Sequence, residues 1–217
     1  MANECYTCYH ISGQDKNLVK KFYDDVKDAV SKHPKFKPVE GTENNWWGNI
    51  FLGAGYTKQQ ICHPKRGEFK FETRGYICFL NLAKDELSVR LEGTTAWRPN
   101  YDSVMKLVNE KYPGLSMLCE AEEDCEGLFI NTDTSHKIFT AQYKVNVYNG
   151  SDEFTYYGTT KDELANFLIK YLSCRKEDAM KAIDKGDLDK IYERRFPTNA
   201  SNGGCMNLYI AKNIASA

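Results

Sequence analysis

Two stretches of this 217-residue sequence have the apolar spacing of an amphipathic helix, and each lies between segments with the residue pattern of β-strands. The first stretch runs from about Asp15 to Lys32, and the second begins at Pro99 and ends before Pro113-Gly114. The apolar residues that recur at helical spacing are Leu18, Val19, Phe22, Val26, Ala29 and Val30 in the first stretch and Tyr101, Val104, Leu107 and Val108 in the second.

Strand patterns occupy much of the remaining sequence up to residue 150, although residues 36–67 are rich in Gly and Pro and are predicted to be irregular. Tyr76–Leu82 is almost continuously apolar, which predicts a central strand. The other strands are predicted at residues 5–11, 68–73, 87–91, 115–122, 129–131 and 138–148. This order predicts an α+β fold of ferredoxin-like type, with an antiparallel sheet and two long helices on one face.

The pattern changes after Asn149-Gly150. Residues 154–157 predict a short strand, and Thr160 and Glu163 have the spacing of a capping box that begins a helix. Two further short helices and a closing strand are predicted at Arg175–Asp184, Asp187–Phe196 and residues 206–210. We therefore predict a ferredoxin-like domain over residues 1–150 and a C-terminal, mostly helical extension over 151–217 that packs on it, because such short helices are unstable alone.

The segment Cys5-Tyr6-Thr7-Cys8-Tyr9-His10 combines two cysteines and a histidine. In a strand, Cys5 and Cys8 point to opposite faces, so the side chains on either face are too few to hold a zinc ion. The spacing predicts a core strand with buried thiols and no metal or other cofactor, although a site completed by Cys62-His63 remains open as an alternative.

Composition and charge bear on the compartment and on the class of partner. The formal charge is −1 and no apolar run is long enough to span a membrane, which argues against general binding of nucleic acid or of membranes. No signal peptide is evident, so we expect a cytoplasmic protein whose eight cysteines are thiols.

Several motifs occur in an order that resembles one protein family. They are the opening Met-Ala-Asn-x-Cys with Gly13, then Cys62 and Arg66-Gly67, then Thr94-Thr95-Ala96-Trp97-Arg98-Pro99, Lys111-Tyr112-Pro113-Gly114-Leu115 and Glu122-Glu123. Over residues 1–150 the sequence resembles the YubB-type ferredoxin-like family of plasmid- and phage-borne proteins, although Glu4 stands where many members have tryptophan. The resemblance implies a ferredoxin-like fold and a mobile-element source, and it implies no catalytic residue.

Trp46 and Trp47 are the leading candidates for a binding site, together with Tyr56 in the same glycine-rich stretch. Exposed tryptophans are typical of interaction hot spots. The structural alternative is a loop that clasps the sheet. Trp97 is predicted to be a structural anchor at the start of the second helix.

Two further motifs suggest other functions. Glu120, Glu122, Glu123, Asp124 and Glu126 form an acidic cluster that suits either a hard cation or, more simply, a solvated strand edge. The segment 74–79 is similar to an RNA-recognition signature, but strict alternation would put its aromatic residues Tyr76 and Phe79 on opposite faces.

These observations favour a non-enzymatic protein-binding module of a phage or other mobile element, which would act on a host or phage protein. Two alternatives stay open. The first is a nucleic-acid-binding protein that uses the sheet face. The second is a small hydrolase or transferase whose pocket holds a cysteine or a carboxylate with a histidine partner.

Overall fold

The computed structural model describes residues 3–125, 127–150 and 152–213 of the chain. It is an α+β protein that divides into two compact units, Met1–Leu128 and Phe129–Ala217. The boundary between the two units lies after Leu128, before the strand predicted at residues 138–148. The sequence pattern predicts a boundary at residue 150. Among the described residues there are eight helices, a five-stranded antiparallel sheet and a three-stranded sheet.

In the residues of the first unit that the structure describes there are four complete strands and four helices. In chain order these are β1 (Glu4–Ser12), α1 (Lys16–Ala29), α2 (Gly48–Gly53), α3 (Lys58–Cys62), β2 (Gly75–Leu82), β3 (Ser88–Ala96), α4 (Tyr101–Lys111) and β4 (Ser116–Glu123).

The strand order in the larger sheet is β2-β3-β1-β4-β5, where β5 (Leu128–Asn131) begins at the last residue of the first unit. The first strand pairs with β3 on one side and β4 on the other, both antiparallel. The prediction that Tyr76–Leu82 forms a central strand is wrong, because β2 lies at the sheet edge. Its apolar run arises because apolar side chains lie on both faces: Ile77 is buried, Leu80 and Leu82 are partly buried, and Tyr76 and Phe79 are exposed.

Period-two alternation along β1 divides the sheet into two faces, as the sequence predicted. Cys5, Thr7, Tyr9 and Ile11 are buried on one face, and Tyr6 is exposed on the other. The apolar stripes of the two predicted helices are also buried: Val19, Phe22 and Val26 from α1, and Val104, Leu107 and Val108 from α4. Asp15 caps α1 by accepting from the Asn17 backbone N–H.

The connection between α1 and β2 differs from the prediction in two places. Residues 36–67 include the short helices α2 and α3, the second begun by a capping box at Thr57. The predicted strand at residues 68–73 is absent from this described segment. Phe71 is buried there against the rings of Phe51 and Tyr56, at centroid distances of 4.8 and 4.9 Å, so its alternation with Phe69 reflects ring packing rather than sheet pairing.

The second unit combines the smaller sheet, in the order β7-β6-β8, with four helices. Its elements are β6 (Tyr143–Tyr148), β7 (Glu153–Gly158), α5 (Lys161–Leu172), α6 (Lys176–Lys185), α7 (Asp189–Arg195), α8 (Pro197–Ser201) and β8 (Cys205–Ile210). The capping box of Thr160 and Glu163 is confirmed at the start of α5, and Gly186 ends α6 with a left-handed φ of 65°.

The strand predicted at residues 138–148 begins only at Tyr143, because a buried aspartate holds the preceding loop. Asp133 accepts from the backbone N–H groups of Ile138 at 2.7 Å and Phe139 at 3.2 Å, and from Ser135. The amide of Asn131 also donates to the carbonyls of Phe139 and Ala141. These bonds turn the chain back and keep residues 138–141 out of the sheet. Gln142 already donates to the Gly158 carbonyl and accepts from the Ala211 N–H, both at 2.9 Å.

Candidate functional site

The two tryptophans predicted to bind a partner lie against the sheet. Trp47 is fully buried, packs its ring edge-on against Tyr9 at 5.9 Å and donates from Nε1 to the Thr94 carbonyl at 2.8 Å. Trp46 is half-buried, with its ring over Gly48. Trp47 is therefore a core residue with no ring surface for a partner.

The loop that carries the two tryptophans covers the outer edge of β2. The Ile77 N–H donates to the Asn45 carbonyl at 2.8 Å, and the Asn45 side chain donates to the Ile77 carbonyl at 2.9 Å. Trp46 also forms an isolated antiparallel bridge with Tyr76. This segment therefore corresponds to the structural alternative to a binding site, a loop that packs on the sheet and hydrogen-bonds to its edge strand.

Tyr56, the third predicted binding residue, lies away from this loop contact, beside α4. Its ring is largely buried, and its hydroxyl donates to Oε2 of Glu110 at 2.6 Å. Burial and this contact raise the pKa of the Tyr56 phenol well above its ordinary value. Tyr56 lines a groove in the first unit, and the binding role predicted for it stays a prediction.

The face of the first sheet opposite the core brings together side chains from four strands, and we call it the open face. Strand register places its members in three rows: Tyr76, Thr94, Tyr6 and Glu122; Phe79, Glu92, Cys8 and Glu120; and Asn81, Arg90, His10 and Leu118. Glu4, two residues before Tyr6 on β1, shares this face.

A register irregularity in β2 brings two aromatic side chains to the open face. Tyr76 pairs with Thr94 and Phe79 pairs with Glu92, and these partners lie two residues apart on β3. The shift between Ile77 and Phe79 adds one residue at Cys78, so Tyr76 and Phe79 point to the same side. The expectation that they lie on opposite faces is wrong for this reason.

Three aromatic rings are therefore exposed on the open face: Tyr6 at 37%, Tyr76 at 47% and Phe79 at 47% of their surface. Thr94 lies between Tyr6 and Tyr76 in the first row, and it lines two shallow depressions. One, of about 500 Å³, is lined in part by Glu4, Tyr6 and Glu122, and the other, of about 130 Å³, in part by Tyr76.

The one arginine in these three rows is already bonded within the face. Arg90 donates from Nε to Glu92 Oε1, and the Tyr6 hydroxyl donates to Oε2 of the same carboxylate. Because Arg90 and Glu92 neutralise each other, the carboxylates that remain in the three rows are Glu120 and Glu122.

Cys8 lies in the middle row with only 1% of its surface exposed. Burial raises the pKa of its thiol to about 11, and the neighbouring Glu92 and Glu120 add to the effect while Arg90 opposes it. The thiol is thus protonated at neutral pH, whereas a cysteine nucleophile needs its thiolate. His10, the next residue of β1 on the same face, lies about 7 Å from Cys8 along the strand.

Glu120 is half-buried beside Cys8 in the same row. Burial raises the pKa of its carboxyl from 4.5 to about 7, with Glu122 adding repulsion and Arg90 opposing the rise. This carboxyl therefore changes its charge in the neutral range, unlike an ordinary surface glutamate.

The remaining members of the acidic cluster are divided between the two faces. Glu122 lies on the open face, whereas Glu123 is buried on the opposite face. Glu126 lies outside the described residues. Met1 and Ala2 of the opening Met-Ala-Asn-x-Cys motif also lie outside them. Within residues 3–125, 127–150 and 152–213, no group of three or more His, Cys, Asp and Glu side chains could hold a metal ion. All eight cysteines, each in a described segment, are thiols.

The aromatic residues of the open face could be found only in part by sequence reasoning. Period-two alternation puts Tyr6 on the face opposite Cys5, but the local pattern does not say which of the two faces is exposed. Trp97, predicted to be an anchor, is exposed and has a left-handed φ of 71°, with its N–H donating to the Asn3 carbonyl at 3.0 Å.

Comparison with known proteins gives no relative for this chain: no protein-family model matches the sequence, and neither a curated protein nor a solved structure matches it. In the part of the chain that the structure describes, no helix is both long and apolar enough to cross a membrane.

Proposed function

We propose that this chain is a non-enzymatic protein-binding module and that the open face is its docking surface. The observation that carries the proposal is the set of three exposed rings, Tyr6, Tyr76 and Phe79, on one sheet face. Rings of this kind, beside depressions that can accept a side chain, are typical of interaction hot spots.

The charge of the open face indicates what kind of segment it would bind. Glu4, Glu120 and Glu122 lie among the rings, whereas Arg90 and Glu92 pair with each other. An acidic face with aromatic rings suits a segment that presents apolar residues together with lysine or arginine, through ion pairing and cation–π contact.

Nucleic-acid binding is the second candidate, because the bulge in β2 puts Tyr76 and Phe79 on the same side of the sheet, where aromatic rings can stack on bases. The carboxylates in the same rows oppose it, since they would repel phosphates. A hydrolase or transferase mechanism is less well supported, because burial raises the pKa of the Cys8 thiol, the cysteine nearest a histidine on this face.

We further propose that the first unit is a ferredoxin-like domain related to the YubB-type family, and that the protein is carried by a phage or other mobile element and acts on a partner in the cytoplasm. The strand order β2-β3-β1-β4, with helices following β1 and β3, supports the fold assignment. The ordered motifs between residues 1 and 150 support the family.

The experiment compares the chain with a Tyr76→Ser/Phe79→Ser double variant. A fluorescent peptide that alternates lysine and leucine should bind the unchanged chain, bind the variant at least about tenfold more weakly, and dissociate as salt rises from 0.15 to 0.5 M. An Ile138→Ser/Tyr148→Ser variant, which removes two exposed apolar side chains from the second unit, is the matched control.

The same variants separate the candidate functions. Thermal melting shows whether each variant remains folded. Equal peptide binding by both double variants would overturn the proposed surface. Retardation of single-stranded RNA at low salt that depends on Tyr76 and Phe79 would replace protein binding with nucleic-acid binding.

A further inference from the structure

A groove of about 380 Å³ lies in the first unit, away from the open face. Its walls come from the residues around α3, from the segment before β2 and from α4. They are Tyr56, Gln60, Glu68, Phe69, Phe71, Lys106 and Glu110. This volume is within the range that small ligands or single side chains occupy in proteins.

Aromatic rings form one side of the groove. Phe69 and Tyr56 both pack against Phe71, at centroid distances of 5.0 and 4.9 Å. Phe71 and Tyr56 are largely buried, but Phe69 exposes 39% of its surface. The groove therefore has a floor of packed rings and one exposed ring, Phe69.

These rings are already used as cation acceptors by the protein's own lysines. The ammonium of Lys106 lies 5.1 Å from the centroid of the Phe69 ring, and that of Lys111 lies 4.6 Å from the Tyr56 ring. Such distances are those of cation–π interactions. The groove thus contains a cation position that Lys106 fills from within the chain.

A carboxylate completes this cation position. Glu110 accepts from Lys106 through Oε1 and from the Tyr56 hydroxyl through Oε2 at 2.6 Å. The carboxylate is therefore fixed in place beside the Phe69 ring. Glu68 adds a second carboxylate to the lining, so the groove carries two negative groups and one positive group.

We propose that this groove is a binding site for an alkylammonium group, in which Lys106 is the resident occupant that a guest displaces. The guest ammonium would take the position between the Phe69 ring and the Glu110 carboxylate, and its alkyl chain would lie over the ring floor. A lysine side chain of a partner and a free primary amine share this chemistry. The site is separate from the open face and does not depend on its proposed function.

A variant that removes the resident ammonium tests the proposal. Lys106→Met keeps the apolar stem and empties the cation position, so n-butylammonium should bind at least about tenfold more tightly than to the unchanged chain. Amide shifts in an NMR titration of the full-length chain measure the affinity. Neutral n-butanol should not produce the same saturable shifts, and Phe69→Leu in the Lys106→Met background should abolish them.

The chain offers a closely matched control. Lys21 makes an ion pair with Asp25, four residues on, and its ammonium lies 4.9 Å from the centroid of the Tyr112 ring. The Tyr112 hydroxyl donates to the Asp25 carboxylate at 2.9 Å. Lys21 therefore has the same kinds of contact as Lys106, but it does not line the groove. Lys21→Met should leave n-butylammonium binding unchanged.

Three results would overturn the proposal: equal binding by the Lys21→Met and Lys106→Met variants, no saturable binding by Lys106→Met, or equal binding of n-butanol. A blocked tripeptide Gly-Lys-Gly distinguishes the source of the guest. Binding of the tripeptide as well as the amine supports a partner's lysine, whereas binding of the amine alone supports a small amine.

Discussion

Replacing Glu120 by glutamine should make the stability of the first unit less dependent on pH. The folded chain holds the pKa of this carboxyl near 7, above the 4.5 of an ordinary glutamate, because the side chain is half-buried. The folded state therefore prefers the protonated form. The stabilisation associated with that preference is complete below pH 4.5 and is lost as the pH rises through about 7.

The size of the effect follows from the two pKa values. Each tenfold change in an ionisation equilibrium is about 1.4 kcal/mol, so the rise of the pKa from 4.5 to about 7 corresponds to at most roughly 3.5 kcal/mol. Partial exposure of the carboxyl reduces this to about 1–2 kcal/mol. Between pH 5 and pH 8.5 the unchanged chain should lose this amount of unfolding free energy relative to Glu120→Gln, in which the amide cannot ionise.

Urea unfolding followed by tryptophan fluorescence measures the difference, because all three tryptophans lie in the first unit. Glu4→Gln is the control, since it removes an exposed carboxylate from the same sheet face and should follow the unchanged chain at both pH values. If Glu120→Gln and the unchanged chain show the same pH dependence, then the geometry around Glu120 does not desolvate its carboxyl and the reasoning is refuted.

Three further predictions concern single residues. Gly93→Ala should lower the unfolding free energy measured in urea by about 2–3 kcal/mol. The reason is that the added Cβ would lie 2.7 Å from the Trp47 ring and 2.3 Å from the Tyr76 carbonyl oxygen. An unchanged midpoint of urea unfolding would contradict this close packing. Asp133→Asn should lower the unfolding free energy of the second unit by about 2 kcal/mol at neutral pH, since its hydrogen bonds hold the pKa of the carboxyl well below the usual range. That contribution is present above pH 3.8 and is lost only in strong acid, so a difference that disappears already at pH 5 would count against it. Iodoacetamide at pH 8 should alkylate the exposed Cys78 in the folded protein and leave Cys8 unmodified, and a mass spectrum showing equal labelling would refute the burial of Cys8.

Local patterns were sufficient to predict much of the fold. The alternation along β1, the apolar stripes of α1 and α4 and the capping box at Thr160 are all confirmed, because each depends on residues close together in the sequence. A period of 2.0 or 3.6 and a cap are properties that neighbouring residues determine.

The candidate sites depend on contacts between distant residues, which local patterns do not contain. Trp47 is buried because Gly93, 46 residues away, leaves room for its ring. Phe79 joins Tyr76 on the open face because of a single extra residue in β2. The groove around Phe69 was missed except for Tyr56, because its walls come from three separate segments.

The central place of β1 has a consequence for how the chain is made. Its hydrogen-bonding neighbours are far downstream, since Glu4 pairs with Ala96 and Tyr6 with Glu122. At a synthesis rate of about 5–20 residues per second, the ribosome needs roughly 6–23 s to extend from Tyr6 to Glu122. Until β3 has been made, β1 with its two cysteines has neither partner strand, and until β4 has been made it has only one, so chaperones have their longest access to this strand.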